Sequence, residues 1–121
     1  MIKVEIELDE QKIIDDGKYV PESILECLDD AFVRNGQQIL EAQGFRRVYR
    51  DGGNTEQDFA VLGKIIMNFT KEDFFLPYAK KILWYNSDNN ENENDFDVED
   101  WLEGFRKRGM IWVMGVWYNR W

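Results

Sequence analysis

Carboxylates at every second position are the chemistry this chain offers in quantity. Glu91, Glu93, Asp95, Asp97 and Glu99 alternate with Asn92, Asn94, Phe96 and Val98. On an extended backbone such acids project to one side at intervals of about 6.6–6.8 Å, two residues of strand rise. That makes a line of negative charge comparable in kind to a nucleic-acid strand, whose charges are also closely and regularly spaced. Asp88, Asp100 and Glu103 extend the series, so that Ile82 to Phe105 holds eight acids and no Lys or Arg. The rest of the chain has 16 acids against 15 bases, and nearly all of the formal net charge of -9 therefore sits in one segment. A field so concentrated suits a surface that meets something positive. Trp84 and Tyr85, at the edge of the run, are either core or the aromatic anchors of an interface. The expected partner-binding set is Asp88, Glu91, Glu93, Asp95, Asp97, Glu99 and Asp100 with Trp84 and Tyr85; the competing reading is an acidic surface kept for solubility.

Other chemistries find less support. The chain has no histidine, which removes the usual general base near neutral pH, the Ser-His-Asp and Cys-His arrangements and most zinc sites. Catalysis would have to rest on carboxylates, and no pair stands out with one member in an apolar pocket. Asp88, Asn90, Asn92 and Glu99 fall at positions 1, 3, 5 and 12 of a calcium-loop register, but Glu93 stands where that loop needs its turn glycine and Asp95 where it needs an apolar residue. Arg46, Arg47 and Arg50 are a solvated strand face, an internal partner for the acidic run or a phosphate contact. The single cysteine, Cys27, reads as a small core or boundary residue in a helix rather than a nucleophile. A lone cysteine also forbids an intramolecular disulfide and suits a reducing cytoplasm. No enzyme, cofactor or metal is expected, nor a membrane span or direct contact with nucleic acid.

The elements that must position these residues follow from periodicity. Ile2, Val4, Ile6 and Leu8 alternate with Lys3, Glu5 and Glu7, the pattern of a strand with one buried face. Asp9 caps a short helical turn that Gly17 ends. Pro21 opens a longer helix to about Asn35, with Ile24, Leu25, Leu28, Ala31 and Phe32 on one face. Gln37 to Arg50 is ambiguous between helix and strand, its second half reading more like a strand. Asp51 to Asn54 is a turn, and Phe59, Leu62, Ile66 and Phe69 give a helix over Glu56 to about Asn68. Thr70 and Asp73 resemble a capping box, which predicts a further helix from Lys71 carrying Tyr78, Ile82 and Tyr85. Asp97 then caps a last helix with Val98, Trp101, Leu102 and Phe105 on its apolar face and Gly109 at its end. Met110 to Trp121 is apolar on both alternating faces, as in a doubly covered strand. The expectation is one domain over residues 1–121, of class α+β, with a small antiparallel sheet of the N-terminal and C-terminal strands and about four helices packed on it.

The segment from Leu76–Pro77–Tyr78–Ala79 through Trp84–Tyr85–Asn86–Ser87–Asp88 to Val98–Glu99–Asp100 resembles small acidic accessory proteins of bacterial phages and mobile elements, some of them similar in size and charge to anti-CRISPR inhibitors. The Trp-rich tail departs from that pattern. The resemblance implies an inhibitor that mimics DNA, its acids occupying the basic groove of a nucleic-acid-binding protein such as a Cas nuclease. A structural or regulatory homo-oligomer, such as a homodimer joined through the Trp112–Trp121 tail, is the alternative.

Overall fold

The computed structural model describes residues 1–53, 55–107, 111–113 and 116–118. In chain order they form β1 (Ile2–Leu8), α1 (Glu10–Asp16), α2 (Pro21–Arg34), β2 (Gln38–Gln43), β3 (Arg46–Arg50), α3 (Thr55–Phe69), a single 3-10 turn at Leu76–Tyr78, β4 (Ala79–Asn86), β5 (Asp97–Asp100), α4 (Trp101–Lys107), β6 (Ile111–Val113) and β7 (Val116–Tyr118). The class is α+β: a five-stranded antiparallel sheet in the order β2-β3-β1-β4-β5 with four α-helices.

Local chemistry explains most boundaries. The Asp9 carboxylate accepts from the Lys12 amide at 3.1 Å and so satisfies one of the free donors at the start of α1. Gly17 closes that helix at φ 65°, a left-handed position where a Cβ is costly. Pro21 opens α2, and Gly44, at φ 58°, turns the β2–β3 hairpin. The period-two pattern of β1 puts Ile2, Val4, Ile6 and Leu8 on the buried face. There they meet Ile13 of α1, Leu28 of α2, Leu62 and Ile66 of α3, and Leu102 of α4 in one buried cluster. Phe32 of α2 stacks on Tyr49 of β3, ring centroids 3.8 Å apart. Burying aliphatic or aromatic side chains of this size contributes roughly 1.5–3 kcal/mol each.

Four expectations are corrected. The helix expected from Lys71 through Tyr85 does not exist: Thr70 caps nothing forward, its hydroxyl instead donating back to the Met67 carbonyl at 2.6 Å where α3 ends. Beyond it the chain makes a turn and then enters β4, which carries Trp84 and Tyr85 to opposite faces of the sheet. The helix expected from Val98 begins at Trp101, because residues 97–100 pair with β4 as an edge strand. The C-terminal strand is not a neighbour of β1, whose two sides are taken by β3 and β4; β6 and β7 pair with each other in a separate two-stranded sheet. Cys27 is exposed rather than core or boundary. Gly109, Met110 and the side chains of the Trp-rich tail, with the interface expected there, lie outside the described residues.

Candidate acidic interface

The turn from Ser87 to Phe96 is built by its own polar side chains. Asn86 Oδ1 accepts from the Asp88 amide at 2.8 Å, Asn92 Oδ1 accepts from the Asn94 amide at 2.9 Å, and the Asn90 side-chain amide donates to the Asp95 carbonyl at 2.5 Å. Asparagine is suited to this, since its short side chain closes a turn on the backbone just beyond it. The consequence corrects the regular line of charge expected from alternation. Glu91, Glu93 and Asp95 sit in turns, and only Asp97 and Glu99 lie two apart on an extended strand. The calcium-loop register meets the same objection: its flanks are strands and its asparagines are bonded within the loop. Among the described residues no group of three or more potential ligands could hold a metal ion.

The expected site residues divide into three sets. Glu91, Glu93, Asp95 and Asp97 are exposed, and none has an ion-pair partner among the described residues. Asp88, Glu99 and Asp100 are engaged internally. The Met1 ammonium donates to Asp88 Oδ1 at 2.6 Å and to Ser87 Oγ at 3.1 Å. Glu99 Oε2 accepts from the Trp101 indole at 3.1 Å, and Asp100 Oδ1 accepts from the Glu103 amide at 3.0 Å in the first turn of α4. Each still has carboxylate facing solvent; a cleft of about 350 Å³ runs beside Glu99 and Asp100, with Met67, Trp101 and Phe105 among its walls. Trp84 is core: it is 2% exposed, stacked on Trp101 at 4.3 Å between centroids with the rings 3° from parallel, and edge-on to Phe59. Tyr85 is on the opposite face, half-buried, its hydroxyl donating to Glu5 Oε1 at 2.8 Å.

That opposite face holds a polar cluster whose residues sequence periodicity marked only as the wet side of β1. Glu5, in the centre of the sheet, accepts from Arg46 Nε at 2.6 Å and from Tyr85, with the Lys81 ammonium 3.7 Å away. Burial alone would raise the Glu5 carboxyl, but the hydrogen bonds from Arg46 and Tyr85 and the charges of Arg46 and Lys81 outweigh it and hold the carboxyl below its ordinary 4.5. Burial, then the bond to Glu5, pushes the Tyr85 phenol up to about 12, so it stays a donor at neutral pH. Lys3 lies over the rings of Tyr85 and Phe96, 5.0 and 4.4 Å from their centroids. No family model, curated protein or solved structure matches the chain.

The three arginines of β3 are therefore internal partners, but of other acids than those of the run. Arg46 also reaches Glu41 at 3.1 Å, Arg47 Nε reaches Asp29 of α2 at 3.2 Å, and Arg50 reaches Asp51 at 3.4 Å. Tyr49 donates its hydroxyl to the same Asp29 at 2.7 Å, and burial together with that bond raises the phenol far out of its ordinary range. Although Cys27 is exposed, partial desolvation of its sulfur by its neighbours, then the charge of Glu72, raises the thiol above its ordinary value.

Proposed function

We propose that this protein is an acidic protein-binding module rather than an enzyme, and that its acidic turn and edge strand enter the basic groove of a nucleic-acid enzyme. The observation that carries this reading is the run Glu91, Glu93, Asp95 and Asp97, exposed and without a cation among the described residues, in a chain whose cationic cluster on β3 is engaged by other acids. Unpaired surface charge favours encounter with a surface of opposite sign. The asparagine-tied turn favours it further, because a loop already closed on itself loses less conformational freedom on binding. Trp84 has no part in the contact; Glu91, Glu93, Asp95, Asp97 and Glu99 carry it, with the outward parts of Asp88 and Asp100 at its rim. A cytoplasmic location accords with the lone thiol, and among the described residues no helix is long and apolar enough to cross a membrane.

A Cas nuclease loaded with guide RNA is the test partner that the sequence resemblance suggests. At low salt, saturating protein is expected to block cleavage of target DNA, and the variant E91K/E93K/D95K is expected to restore it. Unchanged cleavage at saturation removes that enzyme as the partner, and inhibition by the triple variant equal to the parent's removes the acidic surface as the cause.

A further inference from the structure

The cleft of about 350 Å³ beside β5 sets one part of the acidic surface apart, because there carboxylates share a recess with apolar walls. It lies between the end of α3 and the start of α4: Met67 comes from α3, Glu99 and Asp100 from β5, and Trp101, Gly104 and Phe105 from α4. Met67 is 42% exposed. The Trp101 ring is covered on one face by Trp84 and is still half-exposed, with Phe105 edge-on to it at 6.3 Å. Gly104 contributes no side chain, so the recess between these walls stays open. Its size is at the small end of ligand sites, which run from about 300 Å³ upward, and suits one long side chain rather than a larger ligand.

We infer that this cleft is a socket for one arginine side chain of the partner, an inference that rests on the reading of the acidic surface as a partner-binding one. Charge and shape together select the occupant. Among the described residues neither Glu99 nor Asp100 has an ion-pair partner, and Lys107 of α4 turns to Glu103 instead. Each carboxylate uses one oxygen internally and keeps the other: Glu99 Oε2 accepts from the Trp101 indole, and Asp100 Oδ1 accepts from the Glu103 amide. Their two full negative charges outweigh the partial positive charge of about +0.5 at the start of a helix, so the mouth of the cleft attracts a cation. The walls select further. A group that lies along Met67, Trp101 and Phe105 must be apolar over its length and charged at its tip, as lysine and arginine are. Arginine is the better fit of the two, since its planar guanidinium stacks on an aromatic ring and donates in a fork to carboxylates, which an ammonium does not. Trp101 is prepared for that contact, because a ring whose N–H donates to a carboxylate is richer in electrons and attracts a cation more strongly. The parts are also fixed in advance: Trp84 holds the Trp101 ring and the ring holds Glu99, so little freedom is lost on binding.

The probe is Nα-acetyl-arginine methylamide, which carries a single guanidinium and no other charge. Titrated into the full chain and followed by nuclear magnetic resonance, it is expected to shift the Trp101 indole N–H and the Gly104 amide saturably, with a dissociation constant in the millimolar range. The matching lysine amide is expected to bind about threefold more weakly, or worse. Met67→Lys, at an exposed position of α3, sets a cation in the wall of the cleft; it is expected to weaken binding about tenfold or more with an unchanged melting temperature. Glu99→Gln keeps an oxygen for the Trp101 indole and removes the charge, and is expected to weaken binding about three- to tenfold. Shifts that do not saturate, or that are as large at Glu91, Glu93 and Asp95 as at Trp101, amount to general attraction of a cation to the acidic surface and overturn the inference. A Met67→Lys chain that binds as the parent does overturns it as well, and equal affinity for the lysine amide overturns the choice of guanidinium. The two readings fail separately. Saturable binding in the cleft by a chain that inhibits no nuclease leaves the socket without the proposed partner, whereas inhibition that depends on Glu91, Glu93 and Asp95 but survives Met67→Lys leaves the partner without the socket.

Discussion

Two sets of acids sit on one small sheet and are treated in opposite ways. Glu5, Asp29 and Asp51 are partly or wholly buried, and each meets an arginine of β3 and a second donor: Tyr85 for Glu5, Tyr49 for Asp29 and the Ile2 amide for Asp51. Glu91, Glu93, Asp95 and Asp97 are exposed and meet no cation among the described residues. The first set has the arrangement of acids that hold a fold together, since a carboxylate withdrawn from water must be matched by donors. The second contributes nothing to packing, and its mutual repulsion is tolerated at the surface. Residue type does not separate the two sets; the burial and bonding of each carboxylate does.

The largest expected effect bears on neither set but on what joins them. Trp84→Ala removes the ring on which Trp101 stacks, leaving a cavity between β4, α3 and α4. A loss of about 3–5 kcal/mol in urea unfolding is expected, as for large-to-small changes of buried aromatics. A loss under about 1 kcal/mol would show that the ring is not packed as described. Next, Asp51→Ala strands the buried Ile2 amide, which donates to Asp51 Oδ2 at 2.7 Å; about 1–3 kcal/mol should be lost, the cost of an unsatisfied buried donor. Glu5→Gln is expected to cost about 1–2 kcal/mol, less than a fully buried pair because Arg46 is about a third exposed.

Glu5 also sharpens the contrast through pH. Its folded carboxyl titrates below the ordinary 4.5, so in acid the unfolded chain binds the proton first. Its stabilising contribution is therefore present above about pH 4.5 and lost as the pH falls through the lower folded value. Stability measured between about pH 6 and about pH 3 should fall less steeply in Glu5→Gln than in the parent; parallel curves would refute the assignment. The smallest effect on the fold belongs to E91K/E93K/D95K, whose unfolding free energy should stay within about 0.5 kcal/mol of the parent. A loss of several kcal/mol would put these acids in the structural set and dissolve the distinction.

Much of the architecture could be read from the sequence where a single periodicity applied. β1 alternates cleanly, α2 has Pro21 at its start and one apolar face, and α1 is bracketed by Asp9 and Gly17. β4 was illegible because its two faces are both apolar: Ile82 and Trp84 go to the core while Leu83 and Tyr85 lie over the polar face, so alternation is hidden and Tyr78, Ile82 and Tyr85 mimic helical spacing. What decides for a strand is the free hydrogen-bonding side of β1, a partner 70 residues or more distant along the chain that no local pattern reveals. The location of the acidic surface was legible from charge alone. Its division was not, because whether an acid is bonded depends on contacts such as Asp88 with the Met1 ammonium and Asp100 with the α4 backbone. The polar cluster around Glu5 had a faint signal in the run of arginines at 46, 47 and 50, whose charge had to be met by something.

The near-parallel stack of Trp84 on Trp101 gives the molecule an optical reporter of its own. Two indoles face to face at 4.3 Å couple their electronic transitions and split them into a pair of circular-dichroism bands of opposite sign, a signal that depends steeply on their separation and mutual rotation. One ring belongs to the central part of the sheet and the other to the first residue of α4, directly after the acidic strand. Any rearrangement that lifts β5 and α4 from β4 would collapse that couplet while the amide signal of the remaining sheet persisted. If a partner engages the acidic turn as proposed, the event can thus be followed without a label, and a complex that keeps the couplet intact has been formed by a surface that arrived already shaped.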